Sequence, residues 1–267
     1  MLATSGDTAQ ARFQRDGYLA PVPILSPAEA RAHRRRLEAA EAAHGALHYR
    51  VKPYLVFGSA REIATNPRLL DAVEAVLGPD ILLWDSAYVI KEPGHATFVS
   101  WHQDLTYWGL DSDRMVTAWV ALSEVTAKAG AMQVVPGSHV AGKVAHADTH
   151  RPDNALHRGQ DASAEVDAGR AVPLALRPGQ ASLHHGWLLH ASGPNRSADR
   201  RIGLTLQYVT PSVRQTLTDR ESATLVRGRD GFGHFRPEPH WPRDFDPAAI
   251  AFQEEAEALK RWVYDRA

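Results

Sequence analysis

The chain has 267 residues, enough to bury one substantial core, and that length favours one elaborated domain with one site over two domains. With 30 Lys plus Arg against 31 Asp plus Glu the formal net charge is -1, so no global field draws the protein to nucleic acid or to an anionic membrane. Cysteine is absent, which excludes disulfides, thiolate zinc sites, iron–sulfur clusters and a thiol nucleophile, and leaves nitrogen and oxygen as ligands for any metal.

Residues 1–10 carry neither the basic start nor the apolar run of a signal peptide, and no stretch approaches the ~20 apolar residues that span a bilayer, so a cytoplasmic location is expected. Residues 9–16 read as a helix. A second helix is predicted over 26–43, with Ser26 as N-cap and Pro27 at its first position; its basic run 31–36 is a solvated face. A third is predicted over 66–77, where Leu69, Leu70, Val73, Val76 and Leu77 recur at helical spacing before Gly78 and Pro79. From residue 81 the texture changes to short runs rich in Val, Leu, Ile, Trp and Tyr, separated by Gly, Pro and Asp. Strands are predicted over 81–91, 96–102, 115–122, 132–135, 171–176, 181–184 and 202–209. Such short strands divided by turn signals suggest a sandwich or barrel, with a jelly roll as the natural candidate. Residues 141–169 are polar and aperiodic, a long loop of the kind that often serves as a lid. After a Pro-rich stretch at 236–246, residues 248–264 regain helical spacing and should pack on the outside of the sheet. The division expected is an N-terminal helical part over about 1–80, a β core over about 81–210 and a C-terminal extension over about 211–267.

Two residues of the tetrapeptide 101–104, His102 and Asp104, are two positions apart, so on an extended strand end their side chains point to one side and can approach one ion. Two histidines and one carboxylate on one face of a metal leave positions open for co-substrate and dioxygen on non-haem iron(II). By itself, His-x-Asp is a weak signal that a structural hydrogen-bonded pair explains more readily. His190 is the candidate third ligand: it precedes a polar turn, and the next strand returns with Arg201 at its start. A guanidinium there could clamp the distal carboxylate of a 2-oxo acid bidentately, with Arg200 as the competitor, because a one-residue slip on a strand reverses side-chain direction. His184 and His185 face opposite sides of their strand, so one points inward, as a core or supporting histidine. His139 reads as a structural turn residue.

Taken together, His102-Gln103-Asp104, His190 with Ser192, Asn195 and Ser197, and Arg201 eleven positions after His190 (201 minus 190) resemble the motif set of the phytanoyl-CoA dioxygenase family. Gly130, Val134, Pro136, Gly137, Ser138 and His139 resemble the Gly-x-x-x-Val-x-Pro-Gly-Ser-His segment of that family, and residues 116–122 resemble its central strand. The resemblance runs from about residue 52 to 209 in the expected order. It implies a mainly β fold with flanking helices, a double-stranded β-helix or cupin-like jelly-roll barrel, with the N-terminal and C-terminal helices on one sheet. It also implies an oxygenase that uses iron(II), 2-oxoglutarate and O2 and releases succinate and CO2. His102, Asp104 and His190 would be the metal ligands and Arg201 the carboxylate clamp. Ser192 would support the same carboxylate, Trp119 would line the co-substrate pocket, and Lys52 would be a basic residue touching 2-oxoglutarate. In halogenating relatives a small residue replaces the carboxylate ligand; Asp104 is intact, which implies hydroxylation, desaturation, epimerisation or ring closure.

Thr106, Tyr107 and Trp108, just past the His-x-Asp, would line the substrate pocket, although the two aromatics serve equally well as core. No basic groove suited to a coenzyme A nucleotide is evident, so the expected substrate is a free small molecule, a metabolite or natural-product intermediate, with neither nucleic acid nor membrane as partner. Two other readings fit a barrel of this kind. One is a jelly-roll metal enzyme that does not use 2-oxoglutarate, against which Arg201 and Ser192 count. The other is a non-catalytic small-molecule-binding barrel, against which the intact triad counts.

Overall fold

The computed structural model describes residues 8–163 and 166–267. Helix α1, Ala9–Asp16, is capped by the Thr8 side chain and stopped by Gly17 in the left-handed region, a conformation that costs glycine no steric penalty. Strand β1, Tyr18–Pro23, follows. Helix α2, Pro27–His44, starts as predicted, with Ser26 and Glu29 forming a reciprocal capping box. Short helices α3, Pro53–Val56, and α4, Gly58–Ala64, lead into α5, Pro67–Leu77, whose N-cap is Asn66.

The β core comprises β2 Ile81–Lys91, β3 Val99–His102, β4 Met115–Ala121, β5 Met132–Val134, β6 Ala147–Asp148, β7 Gln160–Asp161, β8 Val172–Leu174, β9 Gln180–His184, β10 His190–Ser192, β11 Arg201–Val209, β12 Ser222–Arg227 and β13 Arg236–Pro237. A seven-stranded sheet runs β1-β9-β4-β11-β2-β12-β13, and a four-stranded sheet runs β3-β10-β5-β8. All pairings are antiparallel except β12 with β13. The result is a mainly β protein with flanking helices.

Alternation along β11 sets the layers. Ile202, Leu204, Leu206 and Tyr208 point to a core shared with Leu37, Leu55, Ile63, Leu69 and Val73 of the helices, while Arg201, Thr205 and Gln207 point into a cavity lined by both sheets. The Tyr208 hydroxyl, buried in that core, donates to the Ala64 carbonyl at 2.7 Å.

Four segments depart from the sequence expectations. Strand β1 was not anticipated, because Pro21 and Pro23 argue against a strand; it lies at the edge of the large sheet, where a missing N–H is tolerated. Strand β12 is buried only at Ser222 and Ala223, with the apolar Leu225 exposed, and gave no periodic signal. The long polar segment after residue 141 is partly ordered by the β6–β7 pair, and Asn154 donates to Ser100 Oγ at 2.8 Å, so this segment is docked on the β core. Helix α6, Pro247–Tyr264, does not simply back the sheet: Glu257, Lys260, Arg261 and Tyr264 on its second half line the cavity. Lys260 makes this possible by pairing with Asp85, whose carboxylate also lines the cavity.

Candidate metal centre

Strand β3 ends at His102, and the chain turns immediately into a short 3-10 turn beginning at Asp104. In the small sheet His102 lies directly opposite His190, the first residue of β10. This register brings the two imidazole centroids to 4.0 Å, and one ligand atom from each of His102, Asp104 and His190 lies within 4.8 Å of the others. Asp104 Oδ1 is 3.6 Å from His102 Nε2 and 3.8 Å from His190 Nε2.

Backbone carbonyls fix both rings. His102 Nδ1 lies 2.9 Å from the Ser100 carbonyl and His190 Nδ1 lies 2.9 Å from the Leu188 carbonyl. A carbonyl only accepts, so each Nδ1 carries the proton and each Nε2 lone pair faces the carboxylate. Burial, with His102 beside it, holds His190 well below the ordinary histidine range and keeps the ring neutral, the form that binds a metal. Burial alone would raise the Asp104 pKa, but the net shift is well downward, with the His184 N–H among its causes, so the carboxylate stays ionised. The second oxygen of Asp104 accepts from the Thr117 hydroxyl at 2.9 Å and has His184 Nε2 at 3.4 Å. These partners leave Oδ1 as the oxygen that faces the two imidazoles and is free for a metal. Buried nitrogen and carboxylate donors, each oriented by a further hydrogen bond, suit a divalent transition metal such as iron(II).

Arg201 enters the same cavity from the start of β11. Its guanidinium donates to the Gly130 carbonyl at 2.6 Å and to Ser192 Oγ at 2.7 Å, and its carbon lies 5.2 Å from the Trp119 ring centroid. Its Nε is buried without a partner, and no carboxylate pairs with it among the described residues. Burial lowers its pKa to about 10, so it remains charged at neutral pH. A buried, charged guanidinium with unused donor capacity, beside a metal-type triad, fits a bound carboxylate. Next to it in register, Lys91 donates to the Ser192 carbonyl, Ser192 Oγ and the Gly193 carbonyl at 2.9, 2.8 and 2.6 Å.

Several expected residues therefore share one cavity: His102, Asp104, His190, Arg201, Ser192, Trp119, Tyr107 and Trp108 all line it. Two do not. Thr106 is buried in the turn without lining the cavity. Lys52 points to Glu238 and Ser222, at 2.6 Å from Glu238 Oε1 and 2.6 Å from the Ser222 carbonyl, and lines a separate, smaller pocket. The reason is local: Lys52 sits in the left-handed conformation with its N–H on the Ser86 carbonyl, next to Pro53, which starts α3. Arg200, the alternative to Arg201, lies outside the cavity in ion pairs with Glu41 and Glu92. His139 lies 3.1 Å from the Gln14 carbonyl, a structural contact. Sequence reasoning missed Thr117, Lys91, Asp85, Gln207 and Lys260. The period-two alternation of β11 carried a signal for Gln207; the others depend on strand pairing and on the path of α6.

Comparison with known proteins agrees with this geometry. The family model described as phytanoyl-CoA dioxygenase (PhyH) matches residues 13–203. A probable alpha-ketoglutarate-dependent hypophosphite dioxygenase from Stutzerimonas stutzeri is 33% identical over 159 residues, covering 58% of this chain and 54%, about half, of that relative. The L-proline trans-4-hydroxylase of Streptomyces griseoviridis is 29% identical over 237 residues, covering 75% of this chain and 85% of its own. Among solved structures, the apo form of the non-heme monooxygenase ThoJ superposes with a TM-score of 0.84 at 35% identity, covering 97% of this chain and 98% of its own. With the family match spanning most of its length and the His-Asp-His cluster in place, the chain belongs to the phytanoyl-CoA dioxygenase family.

Proposed function

We propose that this protein is an iron(II)- and 2-oxoglutarate-dependent oxygenase that oxidises a small metabolite or natural-product intermediate, with His102, Asp104 and His190 as the metal ligands. The two sheets would form the jelly-roll, double-stranded β-helix core of one domain, with the helices packed around it. The observation that carries the reading is the buried, uncompensated Arg201 in the same cavity as the triad. A structural metal site would have no use for it, whereas a dicarboxylate co-substrate supplies the missing anion.

In this reading Arg201 and Ser192 hold the distal carboxylate of 2-oxoglutarate and Trp119 covers the guanidinium face. Lys91 fixes the Ser192–Gly193 backbone from behind. Thr117 and His184 hold Asp104 so that it offers one oxygen, leaving coordination positions for co-substrate and O2. When bound, the metal and co-substrate supply the oxidising chemistry, with release of succinate and CO2. Tyr107 and Trp108 shape the substrate side and exclude water. The intact Asp104 favours hydroxylation or a related oxidation over halogenation. The names of the two sequence relatives, a hypophosphite dioxygenase and a proline hydroxylase, support a small polar substrate.

The direct test is to add 2-oxoglutarate to anaerobic, iron(II)-loaded protein and look for the weak visible charge-transfer band of chelation. The band is expected in the wild type and should vanish in His190→Ala. Arg201→Ala should require at least about tenfold more 2-oxoglutarate to reach the same band, with metal affinity little changed. A folded, iron-loaded protein that never develops the band would leave a metal site without 2-oxoglutarate as the better reading.

A further inference from the structure

The end of the cavity away from Arg201 is polar in a specific way. Gln207 lies six residues along β11 from Arg201, about 20 Å in an extended strand, and strand pairing sets Asp85, Gln207, Thr117 and His184 in one row across the large sheet. Thr117 and His184 belong to the Asp104 end of that row. At its other end Gln207 Oε1 is buried with no hydrogen-bond partner, although an amide oxygen can accept two. Beside it, one oxygen of Asp85 accepts from the Ser86 N–H at 2.8 Å and the other pairs with Lys260.

Lys260 is buried. Its Nζ lies 4.7, 5.8 and 5.3 Å from the ring centroids of Trp84, Trp108 and Tyr264. Burial pushes the Lys260 pKa well down, whereas the Asp85 carboxylate paired with it favours the charged form; as an ammonium it has three N–H donors, and Asp85 accounts for one. One turn away on the same helix, Glu257 and Arg261 form a second pair of opposite sign, 3.7 Å apart. This wall therefore presents acceptors and a donor side by side with no net charge.

A cavity of about 430 Å³ that must also hold the co-substrate leaves room for one small molecule. An acyl chain laid against this wall would desolvate the Asp85–Lys260 pair and leave Gln207 Oε1 unpaired. A simple anion would meet Asp85, and a simple cation would meet Lys260. A molecule carrying both charges satisfies the wall.

We propose that this end of the cavity recognises a small amino acid in its dipolar form, with the ammonium on Gln207 Oε1 and Asp85 and the carboxylate on Lys260. The inference rests on the oxygenase reading only in that Arg201 and the triad are assigned to the co-substrate and metal. Gln207, Asp85 and Lys260 are then specificity-determining residues that touch substrate.

The test is calorimetric titration of zinc-loaded protein, with 2-oxoglutarate present, using each free proteinogenic L-amino acid and then the N-acetyl and C-amide forms of whichever binds. At least one free amino acid should saturate the protein, and removing either charge should weaken binding about tenfold or more. Gln207→Leu should weaken it by a similar factor and leave the 2-oxoglutarate titration unchanged. The double variant Asp85→Asn/Lys260→Met, which avoids leaving one buried charge alone, should do the same. Overturning results are that no free amino acid binds, or that the N-acetyl and amide forms bind as tightly as the free one. Because binding is read as heat with zinc, this outcome is separate from the iron charge-transfer band: a missing band counts against the oxygenase reading, and absent amino-acid binding beside a normal band counts against this inference alone.

Discussion

His184 shows how much a single side chain can contribute without being a ligand. Its Nε2 faces Asp104 Oδ2, the oxygen turned away from the other two histidines, which makes that nitrogen the protonated donor and leaves Nδ1 buried without a partner. If it holds the carboxylate in place, His184→Ala should weaken zinc or nickel binding by about 10- to 100-fold, measured by competition with a chelator. Unchanged metal affinity in a folded variant would reduce His184 to packing. The sequence indicated that one of His184 and His185 turns inward, but which one, and onto which oxygen, depended on β9 pairing with β4. Lys91 and Lys52 make the complementary case. A search by resemblance along the chain selected Lys52, whereas the lysine beside Arg201 is Lys91, brought there by the β2–β11 register; burial, with Arg201 beside it, pushes its pKa down to about 6.

At the scale of the element, β11 is the clearest translation of sequence into site. Its even-numbered apolar residues face the helices and Arg201, Thr205 and Gln207 face the cavity, so one strand carries both core and chemistry. Gly203 breaks the row of side chains for a steric reason: a Cβ there would come within 1.9 Å of Trp119 Cζ2. The missing side chain is the space in which Trp119 lies before reaching the Arg201 guanidinium. Gly203→Ala should therefore destabilise the protein by about 1–3 kcal/mol, seen as a lower Tm, and weaken 2-oxoglutarate binding as the indole is displaced. An unchanged melt with unchanged co-substrate affinity would show that the indole has another place to go. Helices α1, α2, α5 and α6 were legible from caps and periodicity, while β1 and β12 were not, because edge position and partner strands, rather than propensity, stabilise them.

Across the whole molecule, acid should act through the junction between the N-terminal helix and the β core. His185 accepts there from the Trp187 N–H at 3.1 Å, with the rings of His139 and Phe13 at 5.0 and 6.1 Å. Burial, reinforced by His139, lowers its pKa to about 4 against an unfolded value of about 6.5. Between those values the unfolded chain binds a proton that the folded chain does not. The contribution is thus fully present above about pH 6.5 and is lost progressively as pH falls to about 4, for a total of up to about 3 kcal/mol. Denaturant unfolding across that window should show the decline, and His185→Gln should flatten it. An identical slope in the variant would assign the acid sensitivity to other groups.

Chain-local information determined the helices and most core strands, because period and caps lie within a few residues of one another, and the family resemblance of short motifs pointed to His102, Asp104, His190 and Arg201. Only the tertiary structure decided that Lys91 rather than Lys52 stands beside Arg201, that Thr117 and His184 hold Asp104, and that α6 lines the cavity with Lys260 against Asp85. Each of these contacts joins residues distant in the chain through strand register or helix docking, and both are set by packing of the whole molecule rather than by any local preference.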